Sequence, residues 1–390
     1  MGTNYRAVIS LVLLVCIASR SSLGAAETDV EQKRSSVPLM FVFGDSLVDV
    51  GNNNFLPPPA PRAASPYGID FPSGTPGAVS GRFTNGYNLA DLVARRLGFK
   101  MSPPAYLSLT PVSKFDLFTC RIGANYASGG SGILNTTGNG TLTLQKQITL
   151  FSKTKARMSW GRCKLSSMVS RSLFLISAGG NDFSAFSEMG MGEQDAPAYI
   201  SSMVSTYVQH IDALYKLGAR RLGILDVPAI GCTPGSRVPM ANGGCNDAAN
   251  SMAQNFNKLL RLEVAKAVAS SMPGMRYSIA STYNFVTDLM DSHLVAGLRV
   301  VDRACCGSGK LNAAVMCAQP NTTYCSDRDD YMFWDMLHPT QATNERGVVA
   351  IFYGPQEYAD PINFAQLAAA TANDDGDINT AMTAGVYAAI

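Results

Sequence analysis

Pro38-Leu-Met-Phe-Val-Phe-Gly-Asp-Ser-Leu-Val-Asp-Val-Gly-Asn-Asn-Asn54 is the stretch whose reading decides the fold. Leu39 to Phe43 is a short apolar run with the character of a strand buried on both faces. It breaks at Gly44-Asp45-Ser46, which sets a serine where a buried strand ends. Open α/β folds carry their chemistry at that carboxyl edge. Gly44 permits a tight turn, and the segment after it begins with free backbone N–H groups that favour negative charge. A serine nucleophile and its oxyanion fit there. Asp and Asn are also ordinary turn residues, so a bare Gly-Asp-Ser would read as a strand followed by a turn.

Working outward, the same pattern of buried run and polar break recurs. Arg121 to Gly132 is a short strand running into the Gly-rich loop Ser128-Gly-Gly-Ser-Gly132, whose small residues let a backbone N–H approach a substrate closely. Leu173-Phe-Leu-Ile-Ser177 is the next buried strand and ends at Ala178-Gly-Gly-Asn-Asp182. The Asn181 amide is a donor able to hold a developing oxyanion, although Asn-Asp alone would favour a turn or cap. Arg221–Leu225 and Arg276–Ala280 read as further strands. Between them lie helix patterns at 85–97, from Leu142, at 197–217 and at 248–269, with Gly98 and Gly218 as stops. Strands alternating with helices predict a three-layer α/β/α fold with a mostly parallel sheet of about five strands. Residues 56–77, dense in Pro, Gly and Ser, read as a surface loop.

Near the far end stands Tyr331-Met-Phe-Trp-Asp-Met-Leu-His-Pro-Thr340. Asp335 and His338 are three apart, so in a helical turn or tight loop both face one way. A carboxylate beside an imidazole fixes its tautomer and stabilises the imidazolium formed when it takes a proton from serine. The chain has only three histidines. His210 reads as a surface or half-buried helix residue and His293 as structural, so serine chemistry depends on His338. Asp45 and Asp49 read as shaping the serine loop, and Asp182 as bonding backbone near Asn181.

The string from Phe41 through Asn54 strongly resembles the first block of plant GDSL esterases/lipases, members of the SGNH hydrolase superfamily. Asn125-Tyr-Ala-Ser-Gly-Gly130 resembles the second block, Gly179-Gly-Asn-Asp182 the third, and Trp334-Asp-x-x-His-Pro-Thr340 the fifth. Asp226 to Pro234 resembles a recurring family loop, with Val227 where proline is usual. After Ala342 the chain departs from the family wording: Arg346-Gly347 are expected to interrupt the helix and Tyr353-Gly-Pro-Gln356 to end it early. The resemblance implies the flavodoxin-like SGNH fold, with Ser46 as nucleophile, His338 as general base and then acid, and Asp335 as the residue that orients it. It implies an oxyanion hole of the Ser46 and Gly130 N–H groups and the Asn181 side chain, with Gly129 as the reserve for Gly130. No metal or organic cofactor is implied. The expected substrate is an acyl ester, of a lipid or of an acetylated cell-wall polysaccharide. A catalytically idle secreted carbohydrate- or lipid-binding protein on the same fold is the competing reading, against which the intact set of four residues argues.

Composition bounds the rest. With 390 residues, 46% hydrophobic and 15% charged, the chain can bury a large core. A net charge of +2 is too small to argue for nucleic acid or an anionic membrane surface. Arg6, the apolar run Ala7 to Ala18 and small residues up to Ala26 form a secretory signal-peptide pattern (1–26), followed by a polar segment (27–37), the hydrolase domain (38–366) and an unassigned Ala-rich tail (367–390). No other run is long enough to span a membrane. Beyond Cys16, eight cysteines remain, an even count that suggests up to four disulfides in an exported chain. Cys232 with Cys245 would close a short loop, while Cys317 could pair with Cys325 or with Cys305 or Cys306. A metal site is disfavoured, because no pair has Cys-x-x-Cys spacing. Sequons at Asn135, Asn139 and Asn321 fit a secreted glycoprotein, located in the apoplast or cell wall.

Overall fold

Alternation along the central strands divides the molecule into layers. In the computed structural model, which describes residues 37–72, 79–158, 164–293 and 296–370, five parallel strands form the sheet: β1 (Met40–Gly44), β2 (Ala124–Asn125), β3 (Leu173–Ser177), β4 (Arg221–Leu225) and β5 (Arg276–Ala280). The signal-peptide pattern, residues 27–36, Cys163 and residues 371–390 lie outside the described residues. Two small sheets follow, β6 (Val300–Ala304) with β9 (Tyr331–Phe333) and β7 (Cys306–Gly307) with β8 (Thr323–Tyr324). A sixth main-sheet strand, β10 (Ala359–Asp360), pairs antiparallel with β5. Ala359-Asp360 carries no apolar run by which sequence reading could find it.

The helices are α1 (Leu89–Arg96), α2 (Pro111–Phe118), α3 (Leu144–Met158), α4 (Leu165–Arg171), α5 (Gly180–Glu188), α6 (Ala196–Lys216), α7 (Pro234–Arg237), α8 (Asp247–Ser271), α9 (Thr282–Asp291), α10 (Gln341–Tyr353) and α11 (Phe364–Ala369). Phe41, Phe43, Phe174, Ile176, Leu222 and Ile224 point to one face, where they meet Phe151 of α3, Tyr207 and Ile211 of α6 and Phe256 of α8. Met40, Val42, Leu173 and Leu175 point to the other, against Leu92, Val93, Ile351, Phe352, Phe364 and Leu367 of α1, α10 and α11. Every residue of β1, β3, β4 and β5 is buried. Removing one of these rings would cost about 3–5 kcal/mol.

Strand order places the chemistry. The sheet runs β10-β5-β4-β3-β1-β2, so successive crossovers reverse direction between β1 and β3. Ligands of doubly wound sheets bind outside the carboxyl ends at such a switch point. Gly44 pairs with Ser177, so the two strands end level and the chains after them emerge side by side.

Two local differences from the sequence reading have simple causes. The helix after Thr340 is continuous through Arg346-Gly347. Gly347 lies where a Cβ would approach the Phe285 ring to 3.2 Å, and the Arg346 guanidinium donates to the Ala342 carbonyl one turn back and to that of Ala296. This glycine serves close packing, and the helix does end at Tyr353 before Gly354. The expected domain end at 366 falls inside α11, whose Leu367 is wholly buried.

Candidate active site

Ser46 leaves β1 through a bend that only glycine makes. Gly44 has φ +132°, and a Cβ there would stand 1.9 Å from the Ser177 carbonyl oxygen. The Gly44 peptide is held by one buried amide, since its N–H donates to Gln147 Oε1 (2.7 Å) and Gln147 Nε2 donates to its carbonyl (2.8 Å). Asp45 Oδ1 accepts from Leu47 N–H, and Asp49 accepts from the N–H groups of Gly51, Asn52 and Gly129. Burial pushes the Asp45 carboxyl up to about 7, against the pull of the Leu47 N–H and His338. Burial likewise raises Asp49 to about 6, although the N–H groups of Gly129, Gly51, Asn52 and Asn53 oppose it.

The Gly-rich loop lies beside this bend. Gly129 N–H donates to Asp49 Oδ2 at 3.0 Å and is therefore occupied. Gly130, half-buried with φ +82°, has no acceptor for its N–H among the described residues, and neither has Ser46. Asn181 opens α5; its amide donates to the Ser131 carbonyl at 2.9 Å, which leaves its second N–H available. Asn53 ties the loop down by donating to the Gly129 and Pro61 carbonyls. Asp182 bonds backbone beside Asn181, in the segment whose Ser131 carbonyl the Asn181 amide holds. It reaches across to the Ile133 and Leu134 N–H groups and the Thr137 hydroxyl, anchoring the loop's far end.

Asp335 and His338 share a tight loop, not a helical turn. Trp334 N–H donates to the His338 carbonyl (2.8 Å), and Thr340 then caps α10. Asp335, 2% exposed, accepts four hydrogen bonds: from Leu337 N–H and His338 N–H on Oδ1, and from His338 Nδ1 and the Tyr67 hydroxyl on Oδ2. The last two are 2.7 and 2.6 Å long. Because the carboxylate only accepts, Nδ1 carries the proton and Nε2 is the acceptor for the Ser46 hydroxyl, 2.8 Å away. Burial raises Asp335, but His338 and the Tyr67 and Leu337 donors outweigh it and hold the carboxyl below its ordinary value. Burial lowers His338, but Asp335 and then Asp45 outweigh it and raise the imidazole above its ordinary value. Phe83 faces the His338 ring at 5.4 Å and backs Gly129, linking the imidazole to the Gly-rich loop.

Ser46, Asn181 and His338 line a cavity of about 550 Å³, within the usual range for a small-molecule site. Phe183, Phe186, Met191, Ile230 and Met252 supply its apolar wall. The arrangement can activate a hydroxyl, hold negative charge beside it and deliver a proton back.

Of the other histidines, His210 is buried rather than at the surface. Its Nε2 lies 3.1 Å from the Ile133 carbonyl, and burial lowers its pKa. His293 Nδ1 bonds the Met290 carbonyl. Sequence reading missed Tyr67, in the Pro-rich loop, and Gln147, on a helix 103 residues from the peptide it holds. A Tyr-Gly between prolines and a Gln in an amphipathic helix carry no local signal of such roles. Disulfides join Cys232 to Cys245, Cys305 to Cys325 and Cys306 to Cys317, and Cys120 is also disulfide-bonded. Asn135, Asn139 and Asn321 are exposed. Among the described residues no group of three or more His, Cys, Asp or Glu could hold a metal, and no helix is long and apolar enough to cross a membrane.

The sequence profile of the family described as GDSL-like lipase/acylhydrolase matches residues 40–347. A GDSL esterase/lipase of Arabidopsis thaliana is 33% identical over 377 residues, covering 93% of this chain and 99% of the relative. Another from the same plant is 34% identical over 387 residues, covering 94% and 99%. A solved carbohydrate-esterase chain aligns at 13% identity with a TM-score of 0.32, covering 68% of this chain and 70% of that one.

Proposed function

This chain belongs to the GDSL-like lipase/acylhydrolase family and is by that membership a carboxylic ester hydrolase, and from there we propose that it works through Ser46, His338 and Asp335 as a catalytic triad. The observation that carries the reading is the unbroken run of hydrogen bonds from the Ser46 hydroxyl through the imidazole to a carboxylate with every acceptor site used. Ser46 attacks the ester carbonyl while His338 Nε2 takes its proton. The Ser46 and Gly130 N–H groups and the Asn181 amide hold the oxyanion. His338 then protonates the departing alkoxide, leaving an acyl-enzyme that water hydrolyses by the same steps in reverse. No step calls for a metal or an organic cofactor. Gly130 is preferred to Gly129 because the Gly129 N–H already serves Asp49.

The apolar wall of Phe183, Phe186, Met191 and Met252 favours an acyl chain over a bare acetyl group, so a lipid-type ester is the first substrate and acetylated polysaccharide the alternative. The disulfides and exposed sequons favour a secreted glycoprotein of the cell wall or apoplast, made with a signal peptide over 1–26, a short 27–37 segment, one hydrolase domain from 38, and a tail of unassigned role. The test is fluorophosphonate labelling and nitrophenyl ester hydrolysis by the wild type and Ser46→Ala. Labelling at Ser46 and a loss of at least about a thousandfold in kcat are expected. Equal activity in both proteins would reject the serine assignment, and a wild type that neither labels nor hydrolyses would be the idle binder.

A further inference from the structure

A second cavity lies directly behind the first. It measures about 70 Å³ and is walled by Phe285 and Val286 of α9, Met332 and Phe333 of β9, and Ile351 of α10. Leu47, Pro228, Thr233 and Leu337 line both cavities and form the partition between them. Of these, Leu337 is the most exposed (47%), and it sits between Asp335 and His338 in sequence. Its backbone is fixed by the N–H bond to Asp335. Leu47 follows the nucleophile, and Pro339, which follows His338, also lines the small chamber. The chamber therefore lies against the two residues that flank His338, whereas His338 itself and Phe183, Phe186 and Met252 line only the large cavity.

We infer that Leu337 is the specificity-determining residue on the leaving-group side, and that the chamber behind it receives the first carbons of an apolar alcohol. The inference rests on the proposed roles of Ser46 and His338. In that chemistry the imidazole hands its proton to the departing oxygen, so the alcohol must lie next to His338. The nearest apolar space on that side is the one that Leu337 closes. The acyl group takes the large cavity, which adjoins the Asn181 amide. A methylene is no larger than a water's share of liquid, about 30 Å³, so the chamber has room for at least about two methylenes. Each methylene moved from water into such a space is worth about fourfold in kcat/KM, or about fifteenfold for two.

The test compares two substrate series on the full chain: ethyl, butyl and hexyl acetate, which vary the alcohol, and nitrophenyl acetate, butyrate and octanoate, which vary the acyl group. Val286→Phe fills the chamber from its far wall, and Leu337→Ala removes the partition while keeping the peptide N–H that Asp335 needs. The readout is a ratio of kcat/KM values within each series. Val286→Phe is expected to lower the hexyl-to-ethyl ratio about tenfold and Leu337→Ala to raise it, with the octanoate-to-acetate ratio unmoved in both. If both variants keep the wild-type alcohol ratio within twofold, the chamber holds no part of the alcohol. If the acyl ratio moves instead, the assignment of sides is overturned. A wild type that cleaves neither series would remove the Ser46 reading itself, an outcome distinct from both.

Discussion

Tyr67→Phe isolates one hydrogen bond in the site. The substitution keeps the ring, and with it the edge-to-face contacts with Phe83 and Trp334 at 6.0 and 6.2 Å, and removes only the hydroxyl 2.6 Å from Asp335 Oδ2. Burial and the neighbouring carboxylate push the Tyr67 phenol far above its ordinary pKa, so it donates throughout the assay range. A hydrogen bond to a buried charge is worth about 1.5–3 kcal/mol. Tyr67 is among the donors that hold Asp335 below its ordinary pKa, so the sign of the stability effect follows. The bond stabilises the fold wherever the unfolded carboxylate is ionised, and that contribution fades as pH falls through the folded pKa. Urea unfolding should show Tyr67→Phe about 1.5–3 kcal/mol less stable at pH 7, with the gap closing in acid. The catalytic effect has the opposite origin. Without the phenol, Asp335 Oδ2 accepts more strongly from His338 Nδ1, the imidazolium is favoured, and the imidazole pKa rises. If about half the bond's worth passes to His338, the acid limb of kcat/KM moves up by about 0.5–1 pH unit. A limb that stays put or moves down, in a variant that has lost the expected stability, would refute the coupling of Tyr67 to the imidazole through Asp335.

In the wild type, the kcat/KM limb for ester hydrolysis should be centred above the ordinary imidazole value of 6.5, because Asp335 outweighs burial at His338; a limb below 6.5 would contradict the ion pair. Gly44→Ala would set a Cβ 1.9 Å from the Ser177 carbonyl at a φ of +132°, forcing β1 and β3 apart. A loss of at least about 4 kcal/mol, read by urea unfolding or by failure to recover folded protein, is expected. Asp45, raised to about 7 by burial, favours the fold while protonated and withdraws that contribution as pH rises through its folded value. Wild-type stability should fall between about pH 4 and 7 by up to about 4 kcal/mol, and Asp45→Asn, which keeps the acceptor for Leu47 N–H, should flatten that slope.

Much of the architecture was legible because it is written locally. β3, β4 and β5 have the limits read from their apolar runs, α1 and α6 follow their apolar stripes and glycine stops, and α8 follows its apolar stripe. Capping explains where α1 begins: Asn88 accepts from Asp91 N–H, so the helix starts at Leu89 rather than Asn85. What escaped reading depends on distant partners. Gly347 looked like a helix breaker, because sequence does not reveal a phenyl ring pressed against its Cα. His210 looked half-exposed on its stripe, yet the Ile133 carbonyl meets its ring in the core. Cys317 had three open partners, and only the spatial order of β7 and β8 joins it to Cys306 and leaves Cys325 to Cys305.

By itself the sequence determined the alternation of strands and helices, the family, and the two positions, Ser46 and Asn181, where a polar side chain follows a buried run. Periodicity and breakage of an apolar segment are properties of neighbours along the chain. Only the tertiary structure decided that the Gly129 N–H is spent on Asp49, that Gln147 clamps the Gly44 peptide, and that a tyrosine 268 residues upstream completes the shell of Asp335. The reason is physical: a hydrogen bond carries no record in the spacing of its partners when the chain between them is free to take any path.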